Sequence, residues 1–140
     1  MTNTPQIFHC LTYNDAAHGL AFLTALGFTE ALVVRNQDDP DLVEHAELHW
    51  RDNGAVMLGS TGPGKPLERT AGHAACYLVV PTDSDVDTTY SKALDNGAQT
   101  IEPPADRPFG GRMATVSDHE GNLWSVGSYT GVQPPHGGEA

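Results

Sequence analysis

Apolar and polar positions along this chain change their spacing several times, and each change marks an element. Ile7 to Tyr13 reads as a strand; Asn14 or Asp15 then offers a side-chain cap to a helix with Leu20, Leu23 and Leu26 on its apolar face, and Gly27 ends that helix. Phe28 to Val34, Val43 to Arg51 and Ala55 to Gly59 read as three further strands. The last two are joined by Asp52-Asn53-Gly54, a hairpin signal because Asn-Gly accepts positive φ. Ser60 to Pro66, rich in glycine and proline, is a linker by composition. The pattern then restarts. Ala74 to Val80 is strand-like, Asp83 or Ser84 can cap a helix with Val86, Tyr90, Ala93 and Leu94 on one face, and Gly97 ends it as Gly27 ended the first. Strands follow at Ala98 to Ile101, Met113 to Val116 and Asn122 to Tyr129. Each half is βαβββ: residues 7–59 and 73–130, with 60–72 between them, make one domain over 1–130. Residues 131–140, His136 included, are expected to be a disordered, solvent-exposed tail.

Composition narrows the classes. At 140 residues the chain suits a single domain, long enough to build a core without disulfides or a structural metal. Seven Lys and Arg against 18 Asp and Glu give a net charge of −11, which repels phosphate backbones and anionic bilayers, so neither nucleic acid nor membrane is an expected partner. No apolar run reaches transmembrane length, and Met1 to Gln6 lacks the basic and apolar segments of a secretory signal. Cys10 and Cys76 each sit in an apolar strand-like segment and read as two buried free thiols rather than a disulfide. A cytoplasmic address is the resulting expectation. No glycine-rich phosphate loop follows the first strand, which argues against a doubly wound nucleotide fold.

The most identifying segment is Ser117-Asp118-His119-Glu120-Gly121-Asn122-Leu123-Trp124-Ser125-Val126, a polar turn feeding an apolar strand. With Arg107-Pro108-Phe109-Gly110-Gly111-Arg112 before it, this segment resembles the closing strands of the vicinal oxygen chelate superfamily, which includes glyoxalases, bleomycin-resistance proteins and extradiol dioxygenases. The resemblance covers about residues 7–130. It implies an α+β fold of two βαβββ modules forming a curved, cupped sheet with helices outside, assembled as a homodimer. Metal-using members take one ligand from each of four strands, typically His, Glu, His and Glu, leaving open positions for two vicinal substrate oxygens, so that a Lewis acid stabilises the developing enolate or alkoxide. Carried onto this chain, His9 fits the first ligand, whereas the other positions fall at or next to Met57, at about Ala75 and at Ser125. Methionine, alanine and serine do not anchor a hard divalent cation as carboxylate and imidazole do. His73, two residues before Ala75, would share its strand face.

Strand parity supplies the other candidates. In His45-Ala46-Glu47-Leu48-His49-Trp50, Ala46, Leu48 and Trp50 form one face, while His45, Glu47 and His49 share the other. The polar face is either an ordinary solvated strand face or a place where Glu47 and His49 contact a ligand. Parity puts Ile7, His9 and Leu11 in the cup, with Ala75 and Tyr77 across the repeat and Met57 and Leu123 nearby, a mostly apolar lining suited to a small hydrophobic or aromatic molecule. His9 is either a satisfied core-edge histidine or an acid–base or binding group. Trp124 reads as core, His119 and Glu120 as solvated turn residues, and Arg107, Phe109 and Arg112 as a loop that either closes the cup or merely carries charge.

Two functions remain open. One is a metal-independent binder of a small apolar or aromatic ligand, with His9, Leu11, Glu47, His49, Met57, His73, Ala75, Tyr77 and Ser125 around the ligand and no cofactor. The other is a metal-dependent lyase, isomerase or dioxygenase with a nonstandard ligand set around His9, Glu47 and His49 or His73. A metal-free enzyme using His9 as general base is a weaker variant of the first. Nucleophilic catalysis finds no motif: there is no Gly-x-Ser-x-Gly elbow, and parity sets Cys10 and Cys76 opposite His9 and Ala75.

Overall fold

A computed structural model describes residues 4–132, so the expectations for most of the tail, His136 among them, lie outside the described residues. In chain order the elements are β1 (His9–Tyr13), α1 (Ala16–Leu26), β2 (Thr29–Arg35), β3 (Val43–Trp50) and β4 (Gly54–Ser60), then β5 (Ala75–Val79), α2 (Asp83–Asp95), β6 (Gln99–Asp106), β7 (Arg112–Ser117) and β8 (Leu123–Gly127). They form two four-stranded mixed sheets of the same topology, β1-β4-β3-β2 and β5-β8-β7-β6, giving the α+β architecture expected. In each sheet the first strand runs parallel to the last, and the remaining pairs are antiparallel. No helix among the described residues is long and apolar enough to cross a membrane.

Local chemistry explains the boundaries, with corrections to the expected details. Asp15 caps α1 by accepting from the His18 amide, and Gly27, at φ 129°, receives the chain as it leaves the helix. The second cap is Thr82 rather than Asp83 or Ser84: its hydroxyl accepts from the Asp85 amide while the Asp85 carboxylate reaches back to the Thr82 N–H, a full capping box. On α2 the buried positions are Val86, Thr89 and Ala93, whereas Leu94 is exposed, because the helix lies on its sheet one position round from the expected stripe. In the β3–β4 hairpin the positive φ falls on Arg51, at 54°, and not on the Asn-Gly pair. Gly54 serves close approach instead, since a Cβ there would stand 3.0 Å from the Trp50 carbonyl. The linker is not featureless: a 3₁₀ turn spans Glu68–Thr70. β6 runs past Ile101 through Pro103 and Pro104, which an edge strand tolerates because its ladder is interrupted between Glu102 and Ala105.

Each helix packs on its own sheet and the two helices touch. The core is nonetheless one cluster, from Leu20, Leu23 and Leu26 through Leu48 and Val56 to Val86, Val116 and Val126. Aromatic rings knit the halves: Phe28 lies 5.0 Å from Trp50 and 6.0 Å from Trp124, and the Trp50 indole N–H donates to the Val79 carbonyl at 2.9 Å. Trp124 is fully buried, as its parity predicted.

Candidate functional site

The polar turn before β8 is the second seam between the halves. Asp118 is buried and accepts five hydrogen bonds: from the Tyr13 hydroxyl at 2.7 Å, the Trp124 indole at 3.1 Å, the Asn122 side chain, and the Glu120 and Asn122 amides. Burial and the neighbouring Asp118 carboxylate hold the Tyr13 phenol protonated far above its ordinary range. His119 and Glu120 do not face solvent as expected. The Glu120 carboxylate accepts from the Asn14 and Asp15 amides at 2.7 and 2.6 Å, and the His119 ring stacks on His18 at 3.8 Å and on Tyr13 at 5.5 Å. These residues dock one module on the other. Arg112 is likewise structural: its guanidinium grips Asp87 of α2 at 3.0–3.1 Å, which raises its pKa further. Arg107 pairs with Glu102 at 3.0 Å.

The ligand candidates divide between the two sheets. Strand register sets Cys10 beside Met57 and Met57 beside Glu47, whereas His9 stands beside Val56, and Val56 beside Leu48. The row holding His9 and Leu11 is therefore the core row, and the row holding Cys10 and Thr12 faces outward with Met57 and Glu47. This corrects the parity assigned to β1. Leu11 is 2% exposed and the His9 ring packs edge-on to Trp124 at 5.9 Å, while Cys10, expected to be buried, is exposed. Burial lowers the pKa of His9, whose Nε2 is buried with no hydrogen-bond partner. Cys76 does face inward, and burial raises the pKa of its thiol.

A hollow of about 480 Å³ lies on the outward face of the first sheet. Cys10, Thr12, Met57 and Gly59 form its floor, the His45 end of β3 one side, and Lys65, Pro66 and Leu67 of the linker the other; Leu11 borders it from the core. His45 Nε2 and Glu47 Oε2 pair at 2.8 Å. Neither His49 nor His73 lines this cavity, and His73 sits exposed before β5 begins. A second hollow, about 400 Å³, lies on the other sheet between Tyr77, Val79, Phe109, Met113 and Tyr129. Here Phe109 meets Tyr129 edge-on at 5.1 Å, and the Tyr77 hydroxyl donates to the Tyr129 carbonyl at 2.7 Å, its ring occupying the place a side chain on Gly127 would fill. Ala75, Tyr77, Leu123 and Ser125 share this open face, with Ser125 hydrogen-bonded to Thr115 at 2.7 Å. Met57 and Tyr77, expected in one cup, thus border separate hollows within the chain. Sequence reasoning missed Cys10, Thr12, Lys65 and Leu67; the signal for the first two was Tyr13, whose bulk marks the His9–Leu11–Tyr13 row as the buried one.

The residues at the expected metal positions do not fit a divalent cation. His9 turns into the core, and Met57, Ala75 and Ser125 present a thioether, a methyl and a hydroxyl. Among the described residues no three His, Cys, Asp or Glu side chains converge where they could hold an ion.

A family model described as Glyoxalase/Bleomycin resistance protein/Dioxygenase superfamily matches residues 6–126. The chain is 31% identical over 102 residues to the Mycobacterium tuberculosis protein named "Putative glyoxylase CFP32", a match covering 73% of this chain and only 38% of that protein. It is 30% identical over 129 residues to Rv0887c of the same species, named an uncharacterized protein, covering 88% of this chain and 74% of that one. Among solved structures, TioX from Micromonospora sp. ML1 superposes with a TM-score of 0.65 at 28% identity, over 86% of this chain and 97% of TioX. The bleomycin resistance determinant encoded on transposon Tn5 shares the fold with a TM-score of 0.61 at 20% identity, over 89% and 98% of the two chains.

Proposed function

The chain belongs to the glyoxalase/bleomycin-resistance/dioxygenase superfamily, and from that premise we propose that it binds a small, largely apolar or aromatic molecule without a divalent metal. The observation that carries this reading is the 480 Å³ hollow floored by Cys10 and Met57 and walled by Pro66 and Leu67, a lining that holds ligands by packing with a few polar points. The donor set supports the metal-free part, since a thioether, a methyl and a hydroxyl stand where carboxylates and imidazoles would be needed.

A homodimer belongs to the same proposal. Tyr77 and Leu123 on one open sheet face, and Leu32 and Val34 on the outer strand of the other sheet, are 39–44% exposed, and a second copy laid over them would bring the Tyr77 hollow of one chain toward the Met57 hollow of its partner.

Met57→Arg, which puts a charge on the floor of the hollow, tests the site. Uptake of an apolar aromatic probe such as 2-naphthamide, followed by calorimetry, is expected to fall at least tenfold, about 1.4 kcal/mol, with the fold retained. Unchanged affinity would move the site elsewhere. Elemental mass spectrometry of untagged protein prepared without chelator is expected to find far less than one divalent ion per chain. One removable ion per chain, lost together with thermal stability, would replace this reading with the metal-dependent lyase, isomerase or dioxygenase.

A further inference from the structure

We infer that Lys65 selects an anionic head group for the molecule in the first-module hollow, so that the preferred ligands are amphipathic monoanions: an apolar or aromatic body carrying one carboxylate or sulfonate. This rests on the reading of that hollow as the ligand site. Lys65 is presented by the linker rather than by either sheet. The turn that carries it closes with the Lys65 amide donating to the Gly62 carbonyl at 3.2 Å, and its methylenes lie over Gly62, where a Cβ would stand 3.1 Å from Cε. Nζ then donates to the Ser60 carbonyl at 2.9 Å, pinning the ammonium at the end of β4 on the rim of the hollow.

The charge census of the walls points to an anion. An ammonium has three donors and only one is used here. In a chain with 18 acidic residues against seven basic ones, no ion pair among the described residues involves Lys65. Both acids nearest the wall have partners of their own: Glu44, which lines it, accepts from the Asn36 side-chain Nδ2 at 2.6 Å, and Glu47, outside the lining, faces His45 at 2.8 Å. The rest of the lining is thioether, thiol, aliphatic carbon and hydroxyl. A carboxylate at Nζ would give Lys65, the lysine on this wall, a counter-charge while the apolar body covers Met57 and Leu67. The linker would then be a specificity element, setting the head group, while the sheet sets the body.

The test is a calorimetric titration of the full-length protein with three probes of one shape: 2-naphthoate, neutral 2-naphthamide and cationic 2-naphthylmethylammonium. Naphthoate is expected to bind about tenfold tighter than either of the others, as one charge-assisted hydrogen bond supplies. Lys65→Met should bring naphthoate down to the affinity that naphthamide has for the same variant, and Lys65→Arg should keep the advantage; circular dichroism of both variants checks the fold. Equal affinity for all three probes, or an advantage that survives Lys65→Met, overturns the selection by Lys65 but leaves the hollow as the site. Preference for the cation overturns it in favour of Glu44, which Glu44→Gln would then abolish. Binding of none of the three at millimolar concentration overturns both this inference and the site on which it rests.

Discussion

His9 shows how a single residue can carry the right chemistry and the wrong address. It resembles a first metal ligand in sequence, yet it stands in the core row beside Val56, with its ring against Trp124. The consequence is a stability effect rather than a catalytic one. Burial keeps the folded pKa below the ordinary histidine value, so the unfolded chain takes up that proton first. Folding stability attributable to His9 is therefore complete above about pH 6.5, the ordinary value, and is lost as the pH falls from there toward the folded pKa. In urea unfolding at pH 7 and pH 5, His9→Phe is expected to lose less stability on acidification than the parent; an equal loss would mean that other groups dominate. This burial was half legible in the sequence. Alternation was plain along β1, but both rows contain apolar residues, and a misassignment of one position exchanges every side chain between faces. Along β3 the rows differ sharply in polarity, and there Ala46 and Leu48 are buried as the alternation predicted.

At the scale of elements the chain was more legible, because periodicity and capping are local properties. Both helices, the succession of eight strands along the chain and the two helix-ending glycines could be read directly, whereas strand pairing, cap identity and strand ends depend on neighbours that only the fold supplies. Thr82→Ala, which removes one half of the capping box on α2, should cost about 1 kcal/mol, read from the urea midpoint. Gly19→Ala should cost more despite the better helix propensity of alanine, because the added Cβ would stand 2.9 Å from the Tyr13 ring. A stabilised Gly19→Ala protein would show that this contact relaxes freely. The linker was the least legible element. Its glycines and prolines mark a break in the repeat, but nothing in their spacing tells that Lys65, Pro66 and Leu67 fold back as a cavity wall, where Nζ reaches the Ser60 carbonyl and backbone turns close on Gly62 and Lys65.

For the whole molecule, the governing fact is that two modules share one core and are sewn together by polar contacts at Asp118. Asp118→Ala strands the Tyr13 hydroxyl and the Trp124 indole without their acceptor, and a loss of roughly 3 kcal/mol or more is expected from two buried unpaired donors, seen as one cooperative transition at a lower midpoint. Two separate transitions would mean that the halves are independent units. Sedimentation is expected to find a dimer, and a monomer at micromolar concentration would remove the second copy from the proposed site. The repeat was visible in the sequence, but the seam was not, since nothing near Asn14 announces a partner more than a hundred residues away. The contact from Glu120 to the Asn14 and Asp15 amides carries a consequence in time. A ribosome releases Asn14, Asp15 and α1 long before it releases the glutamate that accepts from those two amides, and the first half of the core must await Trp124. The nascent chain is therefore expected to stay open to proteases and chaperones until Glu120 and Trp124 have emerged, and then to close as one unit.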